Sequence, residues 1–131
     1  MKDYYQHVKN HLLELDYDIS HENTAEGLFV IQKESYGIKN LIIGVAPPIV
    51  ILEQFIFDIK TSSIEILQSL LIKNRDIIHG AFVLNDDGSK VIFRDTLQIE
   101  NLDQNELEAS LNSLSLLLSE YSEHIINFSK Q

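Results

Sequence analysis

Apolar residues recur every three or four positions at the start of the chain, as they do along one side of a helix. The residues with this spacing are Tyr4, Tyr5, Val8, Leu12 and Leu15. Lys2, Gln6 and Lys9 fall on the opposite side, where a helix meets solvent. The pattern predicts a first helix that ends near Asp16.

From Gly27 onward the pattern becomes that of strands. Three segments rich in Val, Ile and Phe follow one another: Leu28–Ile31, Leu41–Val45 and Ile49–Ile59. Tyr36-Gly37 separates the first two, and Ala46-Pro47-Pro48 separates the second two. Because short connections join antiparallel neighbours, we expect a three-stranded meander.

A second helix and a hairpin are predicted next. Ser62-Ser63-Ile64-Glu65 has Ser at the N-cap and Glu three residues on, which is a capping pattern. The apolar stripe predicted for this helix consists of Ile64, Leu67, Leu70 and Leu71. Asp87-Gly88 lies between the apolar segments Ala81–Leu84 and Lys90–Ile99, and Asp-Gly in that position is a strong hairpin signal.

The last segment predicts one long helix. Asp103 and Glu106 form a second capping pair. One narrow apolar stripe of about six turns follows, formed by Leu107, Leu111, Leu114, Leu118, Tyr121, Ile125 and Phe128. The complete predicted order is α-β-β-β-α-β-β-α, which is an α+β fold.

The meander is apolar on both faces. In the third strand, one face carries Ile49, Ile51, Phe55 and Phe57, and the other carries Val50, Leu52 and Ile56. In the second strand, Leu41, Ile43 and Val45 oppose Ile42. An antiparallel sheet with one solvated face alternates apolar and polar residues instead. We therefore expect a partner surface, with these candidates: Ile43, Val45, Val50, Leu52 and Ile56.

Two kinds of cover are possible for this surface. A helix, or the Tyr17–Glu26 segment, covers the second face within one chain, or the face stays open for a partner. The partner is then a second copy of the chain or a client polypeptide.

Composition narrows the class of protein. The chain has 131 residues, 44% of them hydrophobic, which predicts a single domain over residues 1–131. The absence of Cys excludes disulfides, thiolate metal sites and cysteine nucleophiles. A net charge of −10, with scattered basic residues, disfavours nucleic acid. No signal peptide or membrane span is predicted, since Leu41–Leu52 is short and contains Pro47-Pro48, so we expect a cytoplasmic protein.

Few polar residues are candidates for a catalytic, ligand-binding or metal-binding site. Asn74 falls within the apolar stripe of the second helix, so we expect its amide to have a structural role, tying the helix to nearby backbone groups. His7 and His11 are four residues apart and present a metal-chelating spacing, but solvated or half-buried histidines are the commoner outcome of that spacing. We expect no enzyme activity, no cofactor and no metal.

The second half of the chain resembles a known family in four motifs. They are Leu70-Leu71-Ile72-Lys73-Asn74, Gly80-Ala81-Phe82-Val83-Leu84, Asp86-Asp87-Gly88 and Val91-Ile92-Phe93-Arg94. Together with the order of elements, they resemble the YbjN-like family of small bacterial proteins, which shares its fold with type III secretion chaperones. The residue-level match covers about Ile64 to Ile99, and the order covers essentially the whole chain.

The resemblance implies helices packed on a curved antiparallel sheet, frequently in a homodimer. It implies polypeptide binding for the secretion chaperones and a regulatory role for the YbjN-like branch. We therefore expect a non-catalytic, chaperone-like protein that binds a client segment on apolar sheet surface. The alternative is a regulatory or assembly protein whose main contact is itself.

Overall fold

The computed structural model describes residues 3–60 and 63–130. The helices are α1 Tyr4–Glu14, α2 Ile64–Asn74, α3 Gln104–Glu120 and α4 Ser122–Lys130. The strands are β1 Asp18–Asn23, β2 Leu28–Lys33, β3 Ile38–Ala46, β4 Ile49–Asp58, β5 Ala81–Leu84 and β6 Lys90–Gln98. A short 3-10 helix, Glu34–Tyr36, lies between β2 and β3.

The strands form one antiparallel sheet in the order β1-β2-β3-β4-β6-β5. Among the strands of the described residues, β4 and β6 are the only sheet neighbours that are not consecutive in the chain, because β5 comes between them in sequence. An antiparallel sheet with helices packed on it confirms the predicted α+β class.

Strand β1 is absent from the predicted order. The Tyr17–Glu26 segment, which was one possible cover for the second face, instead extends the sheet, with pairs from Asp18↔Gln32 to Asn23↔Leu28. Its sequence, Asp-Ile-Ser-His-Glu-Asn, is mostly polar and exposed, as suits a strand at the edge of a sheet. The meander therefore has four strands, and a polar edge strand gives little alternation for sequence analysis to detect.

The last predicted helix is two helices. Tyr121 ends α3 with φ −109° and ψ 9°, and α4 begins at the next residue. The apolar stripe continues through the break, because Tyr121 packs against Phe82 and Phe128 packs against Phe57. Since the spacing of apolar residues is the same on both sides, the stripe alone predicts an uninterrupted helix.

All four helices pack on the same face of the sheet. Tyr5 of α1 stacks on Phe29, with ring centroids 4.1 Å apart. Ser110 of α3 donates a hydrogen bond to Asp95, which lies in the same cross-strand row as Phe29. Ile66 and Leu70 of α2 join the same buried core. This face, here called the covered face, therefore holds the hydrophobic core.

Helix α2 begins one residue later than the predicted cap implies. Ser63 is the N-cap, and its side chain accepts a hydrogen bond from the backbone N–H of Ile66. Ser62 lies outside the described residues. The prediction that Ile64 and Leu71 are buried is wrong, because they are 75% and 67% exposed, whereas Ile66 and Leu70 face the core. The other predicted cap, Asp103, accepts from the N–H of Glu106 at 2.7 Å.

The side chain of Asn74 joins the end of α2 to β5. Its Nδ2 donates to the carbonyl of Phe82 at 3.2 Å, and its Oδ1 accepts from the N–H of Phe82 at 2.8 Å. These are hydrogen bonds of the kind expected from the sequence. How much they contribute to stability stays a prediction.

Replacing Asn74 with Leu removes both hydrogen bonds and leaves a half-buried backbone pair without its partner. We expect Asn74→Leu to lower the free energy of unfolding by about 1–3 kcal/mol. The matched control is Asn112→Leu at an exposed position of α3, where we expect a change within about 0.5 kcal/mol. Denaturant unfolding of the three proteins measures this, and equal losses in both variants would contradict a structural role for Asn74.

Candidate functional site

The sheet surface opposite the helices is apolar, and we call it the open face. Residues directly opposite each other in antiparallel strands project to the same face. The cross-strand pairs Val30↔Ile42 and Phe55↔Ile92 lie on this face, and so does the pair Gly44↔Ile51. The apolar residues that define the open face are Leu28, Val30, Ile42, Ile51, Phe55 and Ile92.

No helix covers the open face in the part of the chain that the structure describes. Ile42 is 46% exposed and Phe55 is 49% exposed. The other four residues of the open face are only partly buried, since neighbouring side chains shield them. A contiguous exposed apolar patch is uncommon on a monomeric protein and marks interaction sites when it occurs.

Two ion pairs lie among these apolar residues. Glu53 and Arg94, which are cross-strand neighbours, are 2.5 Å apart. Lys90 lies 2.5 Å from Asp58, and its ammonium group is 5.3 Å from the ring centroid of Phe55. Exposed ion pairs of this kind contribute about 0–1 kcal/mol. They can therefore reorganise at little cost when another surface approaches.

Three of the five predicted partner residues lie in the core. Ile43, Val50 and Leu52 are on the covered face, each with 1% exposure or less. Their proposed location on a partner surface is therefore wrong for this structure. The physical reason is that both faces of β3 and β4 are apolar, and the helices pack on the face that holds these three residues.

Val45 and Ile56 are the other two predicted partner residues. Both are half-buried and pack against the core. A shift in register between Phe55 and Phe57 places Ile56 at an irregularity of β4, so Phe57 points into the core instead. A partner role for Val45 and Ile56 stays a prediction.

A second apolar surface lies on the outside of α2. Ile64, Leu71 and Ile72 are exposed there. Leu71 also lines a cleft of about 360 Å³ between α2 and the β5–β6 hairpin, together with Leu67, Leu70, Phe82, Val83, Leu84 and Val91. We call the exposed α2 residues and this cleft the α2–β5 patch. The sequence does not reveal this surface, because α2 has apolar residues on more than one side, and the predicted buried stripe contains Ile64 and Leu71 in place of Ile66.

Shifted pKa values occur away from the open-face residues. Burial raises the pKa of Tyr17 far above its usual range, and the nearby Tyr36 and Glu108 raise it further. Burial also raises the pKa of Tyr121. The hydroxyl and N–H of Ser89 stabilise the Asp87 carboxylate in the β5–β6 turn and lower its pKa. These shifts provide no acid–base pair on the open face.

The structure brings His7 and His11 together on α1, with their Nε2 atoms 3.1 Å apart. His21 lies on β1, His124 lies on α4, and His79 lies in the connection between α2 and β5. Among the described residues, no group of three or more His, Cys, Asp or Glu side chains is arranged to hold a metal ion. Within residues 3–60 and 63–130, no helix is long and apolar enough to cross a membrane.

The fold is similar to those of several solved structures, including secretion chaperones and YbjN. The chain matches a chain of the HopA1–SchA chaperone–effector complex at 10% identity, with a TM-score of 0.63 over 98% of this chain and 94% of that one. It matches YbjN from E. coli at 12% identity and a TM-score of 0.69, over 92% of both chains. It also matches the Yersinia pestis type III secretion chaperone SycH, crystallised with a fragment of YscM2, at 16% identity and a TM-score of 0.58, over 96% and 99% of the two chains.

Identities this low show a shared fold alone. A search of curated proteins finds no match. The family comparison is more direct, because the CesT_Tir_1 family model matches residues 1–131. This chain belongs to the CesT_Tir_1 family of type III secretion chaperones.

Proposed function

We propose that this protein is a non-catalytic, chaperone-like subunit that binds a client polypeptide on the open face. The observation that carries the proposal is the apolar open face, where Ile42 and Phe55 remain about half exposed. Binding a client there removes apolar surface from water, which is the main favourable term in most protein association.

Family membership supports this function. Two of the solved structures with this fold are complexes: the HopA1–SchA chaperone–effector complex, and SycH with a fragment of YscM2. A cytoplasmic location agrees with this family. The net charge of −10 keeps the protein soluble and repels phosphate backbones, which makes a polypeptide a better partner than nucleic acid.

The composition of the open face favours an amphipathic client segment. A row across the sheet, Val30↔Ile42↔Glu53↔Arg94, joins two apolar residues to an ion pair. With strands about 4.8 Å apart, this row spans ~14 Å, which is slightly wider than a helix with its side chains. A client with apolar residues on one side and charges beside them fits such a row.

The α2–β5 patch supports a second part of the proposal, which is homodimer formation. It lies at the β5 end of the sheet and meets the open face at Val83, which pairs with Ile92. Because Ile42 is on β3, three strands away from β5, a second copy bound on α2 leaves that part of the open face accessible. Exposed apolar side chains such as Ile64 and Leu71 are suited to pair with their symmetry mates, since a two-fold interface uses the same patch on both subunits.

The alternative function is a YbjN-like regulatory or assembly protein whose main contact is itself. The α2–β5 patch favours it, because that surface supports self-association without any client. The two functions differ in whether the open face is used. A client whose binding requires Ile42 would distinguish the chaperone-like function from the self-associating one.

Placing a charge on the open face tests client binding. We expect Ile42→Glu to abolish recovery of the client when the tagged protein is used for affinity capture from its native cells, because a carboxylate in an apolar interface must be desolvated. The matched control is Ile126→Glu on α4, where the side chain is 51% exposed, similar to Ile42 at 46%. We expect this control to recover the same client as the unmodified protein.

Two results would contradict the proposal. Equal capture by Ile42→Glu and Ile126→Glu would show that the open face is not the binding surface. Failure of the unmodified protein to capture any client would favour the self-associating alternative. Thermal unfolding of each variant checks that both remain folded.

Light scattering after size exclusion tests the homodimer. We expect the unmodified protein to have twice the chain mass of 15.0 kDa, and Leu71→Glu to have the mass of one chain, because a buried unpaired charge opposes association. The matched control is Leu13→Glu on α1, at another exposed leucine, which we expect to stay dimeric. A monomeric unmodified protein rules out the homodimer.

A further inference from the structure

Two imidazole rings converge on α1, on the side that faces the turn between β6 and α3. His7 and His11 are one helical turn apart, and their Nε2 atoms are 3.1 Å from each other. The ring centroids are 4.5 Å apart, with 78° between the ring planes. His11 is half-buried, whereas His7 is exposed at the helix surface.

A backbone oxygen from a distant part of the chain completes the group. The carbonyl of Leu102 lies 3.1 Å from Nε2 of His7, although the two residues are 95 positions apart in sequence. Leu102 is buried in the turn between β6 and α3. The group therefore joins α1 to the start of the α3 segment.

A single hydrogen on His7 Nε2 cannot form hydrogen bonds to both the Leu102 carbonyl and His11 Nε2. A neutral imidazole carries a single N–H, and Nε2 of His7 faces both the Leu102 carbonyl and Nε2 of His11. If His7 donates to Leu102, the lone pair of His11 Nε2 receives no hydrogen from it. If His11 donates to His7, the Leu102 carbonyl loses its donor. Nδ1 of His11 is also buried without a hydrogen-bond partner.

A cation resolves the conflict between the two Nε2 atoms. Zinc binds imidazole nitrogen at about 2.0–2.1 Å, so an N···N distance of 3.1 Å corresponds to an N–Zn–N angle of about 100°. That value is close to tetrahedral geometry. We propose that His7 and His11 chelate a divalent transition-metal cation of the zinc type, beside the Leu102 carbonyl.

Binding requires both rings to carry their hydrogen on Nδ1, which leaves both Nε2 lone pairs free for the cation, and it replaces any hydrogen bond from His7 Nε2 to the Leu102 carbonyl. Imidazole ligands select Zn²⁺, Cu²⁺ and Ni²⁺ over Mg²⁺ and Ca²⁺, which prefer oxygen.

Water completes the coordination in this proposal. A cavity of about 470 Å³ opens beside the site, and it is lined by Asp3, Tyr4, His7, Ile99, Asn101 and Leu102. No further His, Cys, Asp or Glu joins the two histidines in a metal-binding group within the described residues. With two nitrogen ligands from the protein, the cation exchanges with solvent and is not a permanent structural ion.

Cation binding is expected to stabilise the folded chain. The two histidines adopt this arrangement only when α1 is helical, and Leu102 approaches them only when α1 is packed on the sheet. A cation that binds this arrangement but not the unfolded chain raises stability by mass action. This inference is independent of client binding, since α1 lies on the side of the sheet opposite the open face.

The test uses the full chain without a histidine tag, after treatment with a chelator. We expect ZnCl₂ to bind with one-to-one stoichiometry in calorimetry and to raise the Tm by several degrees, and MgCl₂ to leave the Tm unchanged. His7→Asn and His11→Asn should each lose this rise. The matched control is His21→Asn on the exposed strand β1, which should retain it.

A spectroscopic measurement covers the case in which a variant fails to fold. The electron paramagnetic resonance spectrum of the unmodified protein with one equivalent of Cu²⁺ should show coupling to two imidazole nitrogens. An unchanged Tm with ZnCl₂ overturns the proposal. So does coupling to a single nitrogen, or a Tm rise that persists in both His7→Asn and His11→Asn.

Discussion

The burial of only one face of the sheet is the constraint on which the rest of this structure depends. Strands β3 and β4 carry apolar side chains on both faces, but all four helices pack on the face that holds Ile43 and Leu52. Burying that face is the largest stabilising contribution available to a chain of this size. The same arrangement leaves Ile42 and Phe55 in contact with water. The core and the candidate binding surface are therefore two sides of the same strands.

Sequence analysis could predict the elements with strong periodicity or clear turn chemistry. The first helix, the β5–β6 hairpin and the Asp103 cap are confirmed. Strand β1 could not be predicted, because a polar edge strand exposes most of its side chains and shows no alternation. The break at Tyr121 could not be predicted either, since the packing of Tyr121 maintains one apolar stripe through it.

The candidate site was predictable as a kind of surface but not as a set of residues. The lack of apolar–polar alternation in β3 and β4 shows that both faces are apolar, but it does not show which face the helices cover. Ile42 and Ile43 are neighbours in β3, and neighbouring strand residues point to opposite faces of the sheet. A choice of face that is wrong therefore names Ile43 where Ile42 is the surface residue. Only the location of the helices distinguishes them, and that depends on contacts between distant parts of the chain.

The hydrogen bonds of Asn74 have a further consequence, for the growth of the sheet. Within the described residues, β5 is at the end of the sheet and pairs only with β6. The backbone groups of Phe82 that bind Asn74 therefore face away from β6, where a further strand would attach. The amide takes the place of that strand, so an incoming chain must displace it first. Asn74 thus protects the β5 edge of the sheet against the edge-to-edge association with other chains that unpaired edge strands promote.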